Sequence, residues 1–113
     1  MHELKKAQEI ANKAIEAANQ RNHTKVEAIH LTIGTASTYS EDSLRIYFDQ
    51  EAKGTVAEGA KFIVKEVKAK LRCPRCGKEF LRVPLEYNCP ACGTEGEPCE
   101  IGTEMEIGEI ETK

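Results

Sequence analysis

The sequence predicts an α+β fold of two helices and three strands, in the order αβαβ, a four-cysteine module, then β. Three observations predict it. Apolar residues recur at helical spacing near the start, they alternate at strand spacing around residue 30, and two Cys-Pro-x-Cys-Gly motifs precede the last apolar alternation. With 113 residues, 40% of them apolar and only six aromatic, the chain can build one small but thin core, so a staple is expected.

The first helix is expected from about Glu3 to about Asn22. Leu4, Ala7, Ala11, Ala14, Ile15 and Ala18 share one face, while Lys5, Lys6, Glu9, Lys13 and Glu16 fall mostly elsewhere. Such an alanine-rich face suits close packing on a sheet. Val26–Gly34 (VEAIHLTIG) follows as a strand, with Ile29, Leu31 and Ile33 alternating against His30 and Thr32. After a turn-like TASTYS, Ser40 followed by Glu41 and Asp42 signals a helix start. Leu44, Tyr47 and Phe48 form the stripe of this second helix, which should stop near Ala52 with Gly54 as its breaker. From Ala60 to Leu71 a long strand is expected, buried on part of both faces and leading directly into Cys73. Met105, Ile107 and Ile110 mark the final strand.

No apolar run reaches the length needed to span a bilayer. Polar and acidic residues interrupt the start, which does not read as a signal peptide, so the cytoplasm is the expected compartment. Five cysteines then read as metal ligands or reduced thiols, not as a disulfide framework. The formal charge of −3 is unevenly spread. Residues 61–82 hold eight bases and two acids, whereas residues 95–113 hold seven acids and one base. A basic run leading into a cysteine module points to a nucleic-acid-binding or adaptor protein as the alternative function. The favoured reading is structural: the strands flanking the module pair antiparallel and set opposite charges face to face.

The two motifs, Cys73-Pro-Arg-Cys76-Gly and Cys89-Pro-Ala-Cys92-Gly, are near-identical knuckles, with twelve residues between Cys76 and Cys89. Each holds two thiolates on one tight turn, and the trailing glycine lets the backbone curl towards sulfur. Four thiolates in a tetrahedron make a closed structural Zn(II) site, and the spacing is zinc-ribbon-like. With no open coordination position, hydrolytic chemistry at this metal is not expected. Iron in the same four sulfurs, as in a rubredoxin, is the chemical alternative. Cys99 stands seven residues beyond Cys92 outside any knuckle and reads as a spare thiol or a contact near a second metal.

The start, MHE, offers a second donor set. The bulky His2 should disfavour removal of Met1, leaving an α-amine with an ordinary pKa of about 7.7–8.0. That amine, the His2 amide nitrogen and the His2 imidazole can close adjacent chelate rings, with the Glu3 amide as a fourth donor. Nitrogen donors including a deprotonated amide favour square-planar Ni(II) or Cu(II). The first amides of a helix have no intrahelical acceptor, so giving up those protons costs no backbone hydrogen bond. His23, at a helix end, and His30, on a strand, read as structural or solvated.

MHE, Ile33-Gly34, Gly54-Thr55-Val56-Ala57-Glu58-Gly59-Ala60, the paired knuckles and the terminal Gly102-x-Glu104-Met105-x-Ile107-x-x-Ile110-Glu111 occur in an order that resembles the HypA family. Its members are nickel metallochaperones of [NiFe]-hydrogenase maturation. The resemblance implies a small three-stranded sheet with two helices plus an inserted zinc module. It assigns residues 1–72 and 93–113 to a nickel-binding α/β domain and residues 73–92 to the zinc-binding module. It also implies Ni(II) cargo at Met1, His2 and Glu3, and structural Zn(II) at Cys73, Cys76, Cys89 and Cys92. The implied partners are a HypB-type GTPase and the hydrogenase large subunit, with no nucleic acid, no membrane and no enzymatic activity. Lys5 and Lys6 depart from the small or apolar residues common in the family. The loop between the knuckles is short and supplies no extra histidine.

Overall fold

The structure, a computed structural model, describes residues 2–83 and 85–113, with His2 described by its backbone alone. Eight elements follow in order: α1 (His2–Gln20), β1 (Val26–Gly34), α2 (Glu41–Ala52), β2 (Lys61–Val67), β3 (Lys70–Arg72), β4 (Glu79–Leu81), β5 (Glu97–Pro98) and β6 (Met105–Thr112). The expected α+β architecture is present. A three-stranded sheet runs β2-β1-β6, and a second, smaller sheet runs β4-β3-β5 around the knuckles.

Helix α1 buries Ala7, Ile10, Ala11, Ala14 and Ala18, so its small-residue stripe brings the backbone close to its neighbours. It stops two residues before the expected end. Asn22 takes a left-handed conformation (φ 55°), His23 N–H reaches Ala18 O at 2.8 Å and Asn22 N–H reaches Asn19 O at 3.1 Å. This is a Schellman cap with asparagine in the role usual for glycine. Beyond it, His23 Nδ1 lies 2.7 Å from Thr112 Oγ1 and His30 Nε2 lies 2.7 Å from Glu111 Oε2. Both histidines therefore tie β6 in place, in line with their structural reading.

Ser40 caps α2: its Oγ accepts from Ser43 N–H at 3.4 Å. The segment β1–α2–β2 is a βαβ unit, with β1 and β2 parallel from Ala28↔Lys61 to Gly34↔Val67. Leu44 and Phe48 of α2 join the same buried core as Ile10 of α1 and Ile29 and Leu31 of β1. Phe48 meets Phe62 edge to face, with ring centroids 5.0 Å apart. Arg45 lies over Phe62 at 4.6 Å and donates to Ala60 O at 2.6 Å, which clamps the end of the helix–strand connection.

The Gly54–Ala60 stretch is structural. Thr55 Oγ1 donates to Ala52 O at 2.7 Å and accepts from Ala57 N–H at 3.1 Å, finishing α2, while Ala57 and Ala60 are buried in the core.

Two expectations differ from the structure. Residues 60–71 do not form one long strand: β2 ends at Val67, and after Lys68 and Ala69 the chain enters β3 in the other sheet. Only one face of β2 is covered, with Phe62 and Val64 half-buried while Ile63 stays 45% exposed. Nor do the long flanking strands pair with each other. Strand β1 separates β2 from β6, and the expected antiparallel pairing survives only as β3 with β5, Leu71↔Pro98 and Arg72↔Glu97. The physical reason is β1's apolar face, which offers hydrogen-bonding edges on both sides of the most buried strand, so β2 and β6 each take one.

Candidate metal centre

Both knuckles are built alike. Cys73 N–H donates to Lys78 O at 2.8 Å and Gly77 N–H to Cys73 O at 2.9 Å; Cys89 N–H donates to Thr94 O and Gly93 N–H to Cys89 O, each at 2.8 Å. Gly77 (φ 77°) and Gly93 (φ 75°) are left-handed, and a Cβ on either would meet open space. Glycine is needed there for the backbone conformation alone.

These turns bring the four sulfurs of Cys73, Cys76, Cys89 and Cys92 within 4.8 Å of one another. Cys73 Sγ lies 3.3 Å from Cys92 Sγ and Cys76 Sγ 3.7 Å from Cys89 Sγ. A tetrahedral ion with metal–sulfur bonds of about 2.3 Å would set its ligands about 3.8 Å apart. The donor set therefore fits a closed four-thiolate metal site of the kind the spacing predicts. Cys73 and Cys89 are buried, while Cys76 and Cys92 face outward.

Without a cation these thiols are in conflict. The Thr94 hydroxyl, 3.4 Å from Cys92 Sγ, and the Thr94 amide pull the Cys92 pKa down to about 6. Burial opposes the Cys89 thiolate, but the amides of Cys92 and Ala91 and the neighbouring Cys76 bring it below the usual thiol value. The Lys78 amide favours a Cys76 thiolate, yet the adjoining Cys73, loss of water and Cys89 push that thiol up to about 11. One divalent ion at the centre resolves this, since all four sulfurs can then carry charge together. The roles of Thr94 and of the Lys78 and Thr94 carbonyls carry no sequence motif of their own. Cys99 lies apart from the cluster, with its thiol 3.3 Å from Lys70 O, and acts as a hydrogen-bonded spacer under β3.

Below the knuckles Arg72 joins Glu79 at 2.8 Å and Glu100 at 3.0 Å, tying β4 and the chain after β5 to β3. The two sheets meet at a tight joint. Ala36 N–H donates to Gly102 O at 2.8 Å and Ala69 N–H to Thr35 Oγ1 at 2.8 Å.

At the other predicted site, Met1 and the side chain of His2 lie outside the described residues. The backbone of His2 opens α1, as the sequence predicts. Glu3 is half-buried, and its Oε2 is buried without a hydrogen-bond partner among the described residues. A buried carboxylate oxygen left bare is costly unless a cation or donor reaches it. Lys6 bonds Glu9 at 2.8 Å and lies 5.8 Å from the Tyr39 ring centre, so its charge is engaged locally.

Comparison with known proteins is consistent in kind along the chain. The family model described as "Hydrogenase/urease nickel incorporation, metallochaperone, hypA" matches residues 1–112. The hydrogenase maturation factor HypA of Caldanaerobacter subterraneus subsp. tengcongensis is 36% identical over 96 residues, covering 85% of this chain and 84% of the relative. That of Chloroflexus aurantiacus is 35% identical over 113 residues, covering 99% of each. Among solved structures, the solution structure of the Ni metallochaperone HypA from Helicobacter pylori superposes with a TM-score of 0.60 at 18% identity, covering 97% of this chain and 96% of that one. A solution structure titled HypA protein superposes with a TM-score of 0.72 at 22% identity, covering 100% and 97%.

Proposed function

The chain belongs to the HypA family of hydrogenase-maturation metallochaperones, and from that premise we propose that it captures Ni(II) at its amino terminus and passes it on for [NiFe]-hydrogenase assembly. The observation that carries this reading is the family match beginning at residue 1, over a helix whose first turn starts at His2. In this proposal the amine of Met1, the amide and imidazole of His2 and the Glu3 amide or carboxylate are the nickel donors. The bare Glu3 Oε2 supports a cation nearby. Free first-turn amides can lose protons without breaking the helix.

Cys73, Cys76, Cys89 and Cys92 hold structural Zn(II) in this reading, supported by the tetrahedral fit of their sulfurs. Residues 73–92 form the zinc-binding module, and residues 1–72 and 93–113 the nickel-binding domain. Delivery involves a HypB-type GTPase and the hydrogenase large subunit in the cytoplasm. Among the described residues no helix is long and apolar enough to cross a membrane. The protein acts as a carrier and not as an enzyme: nickel enters and leaves by ligand exchange.

Titration of the zinc-loaded chain with Ni(II), followed by calorimetry and absorption, tests this. One nickel per chain is expected, lost in His2→Ala and in a chain with two residues added before Met1. Undiminished binding by both variants would sink the amino-terminal site.

A further inference from the structure

Leu81, Val83, Leu85 and Tyr87 break the ordinary rules of a small domain's surface. In that order they are 50%, 43%, 91% and 44% exposed, and they recur at every second position. Leu85 is also left-handed (φ 69°), a conformation that disfavours a bulky side chain. That backbone belongs to a tight turn closed by Glu86 N–H donating to Val83 O at 3.0 Å, which leaves the Leu85 side chain 91% exposed at its tip. Apolar exposure that clusters marks a surface open to something outside the fold. The other large exposed apolar residues, Ile46 and Ile63, stand singly on α2 and β2.

Beside this stripe, at the joint between the two sheets, lie two depressions of about 310 and 250 Å³. Both are lined by Thr35, Ala69 and Arg82, so they form one continuous trough. Leu81 and Val83 border one end and Tyr87 the other. The charge along it is uneven: Lys68 and Arg82 line it against one carboxylate, Glu66. Neither basic side chain has an ion-pair partner among the described residues, in contrast to Arg72 close by. A trough of mixed apolar and polar lining, with two cations that have no ion-pair partner among the described residues, matches an extended chain that alternates carboxylates with apolar side chains. Phosphates are a poorer match, because the trough offers one aromatic ring for stacking and an apolar border where a backbone of charges would need cations.

We propose that the trough between the two sheets, with the Leu81–Tyr87 stripe beside it, is a docking surface for an extended segment of a partner protein in which acidic and apolar residues alternate. This goes beyond nickel capture, because neither donor set contributes to the surface. Its test does not involve nickel, so it stands or falls separately from the carrier reading.

The experiment is selection of short random peptides on the zinc-loaded full chain, followed by fluorescence anisotropy with the enriched consensus peptide. Enrichment of alternating Asp or Glu with Leu, Ile, Val or Phe is expected. Arg82→Glu should weaken the consensus peptide at least about tenfold, as should Leu81→Ser with Val83→Ser. A consensus peptide with its acids changed to lysine should regain binding to Arg82→Glu, which a merely structural role for Arg82 would not produce. Leu85→Ser, at the exposed tip, serves as a variant with no folded contact to lose, and should weaken binding with zinc content unchanged. The proposal is overturned if no such pattern is enriched, or if the consensus binds wild type and Arg82→Glu alike. It is also overturned if duplex DNA displaces the peptide with a steep dependence on salt, which would make this a phosphate surface, or if the trough is covered by a second copy at working concentration.

Discussion

Gly34 and Gly102 touch backbone to backbone: a Cβ on Gly34 would lie 2.0 Å from Gly102 O, and one on Gly102 would lie 2.3 Å from Ala69 Cα. Three segments far apart in sequence therefore meet where side chains are excluded, and this contact joins the two sheets. Gly34→Ala is expected to destabilise the zinc-loaded protein by roughly 1–3 kcal/mol or more, the usual cost of overpacking against something that cannot yield. Gly54→Ala is the control. Its φ of 78° is also left-handed, but a Cβ there meets nothing within 4 Å, so only the conformational cost of about 1–2 kcal/mol applies. Thermal unfolding of both variants measures the difference, and equal losses would mean that the joint yields.

Arg72 holds Glu100 below the ordinary carboxylate range, first through their hydrogen bond and then through its charge. The same pairs raise the guanidinium of Arg72. A carboxylate lowered in the folded state contributes stability above its unfolded pKa, and that contribution fades as pH falls through the folded value. Arg72→Ala should therefore move the Glu100 titration, followed by side-chain carbon NMR, upward, though its own backbone amide still holds it partly down. The stability change should be small, because both partners are largely in water. An unmoved titration would show that the pair does not form in solution.

The four cysteine ligands were legible in the sequence because each pair is carried by its own local turn, and CPxCG encodes both the donors and the conformation that aims them. Strand β1 was legible to the residue, since alternation and burial coincide along Ile29, Leu31 and Ile33. Ile10 lies on the stripe that Ala7 and Ala14 already define, and its omission from the expected face was avoidable. The end of α1 was less visible, because the left-handed cap falls on Asn22 and not on the glycine that usually marks it. Residues 60–71 show where local reading stops. Nothing in Val67-Lys68-Ala69 announces a break; the chain is turned there by Gly102, more than thirty positions later in the sequence. Complementary charge likewise pointed to contacts between the basic run and the acids after the module, met by Arg72 with Glu100, yet could not place β1 between the longer strands.

Thr94 gives a handle on the metal centre that leaves every ligand intact. Its hydroxyl is the leading cause of the low Cys92 pKa of about 6. Thr94→Val keeps the shape and removes that interaction, so the Cys92 pKa should rise and protons should compete better for its sulfur. Metal release on acidification, followed with a chromophoric chelator, is then expected at a higher pH than in the wild type. Release at the same pH would show that the thiolate is set by the metal alone.

Nickel capture by amino-terminal nitrogens predicts a proton count as well as an affinity. At pH 7 an ordinary α-amine is mostly protonated and an imidazole mostly neutral. Binding should therefore release nearly one proton from the Met1 amine, a fraction of one from His2 and a whole one from the His2 amide, about two in all by those reference values. If the Glu3 amide also ligates, the count rises to about three. Calorimetry in two buffers of different ionisation enthalpy measures this directly. A site built from imidazole and carboxylate side chains alone would release well under one proton at the same pH. Such a count would overturn amide ligation even if His2→Ala abolished binding. A count of about two or three in the native chain, with nickel binding lost once the start is extended by two residues, would support the amine and the amide as donors at the amino terminus.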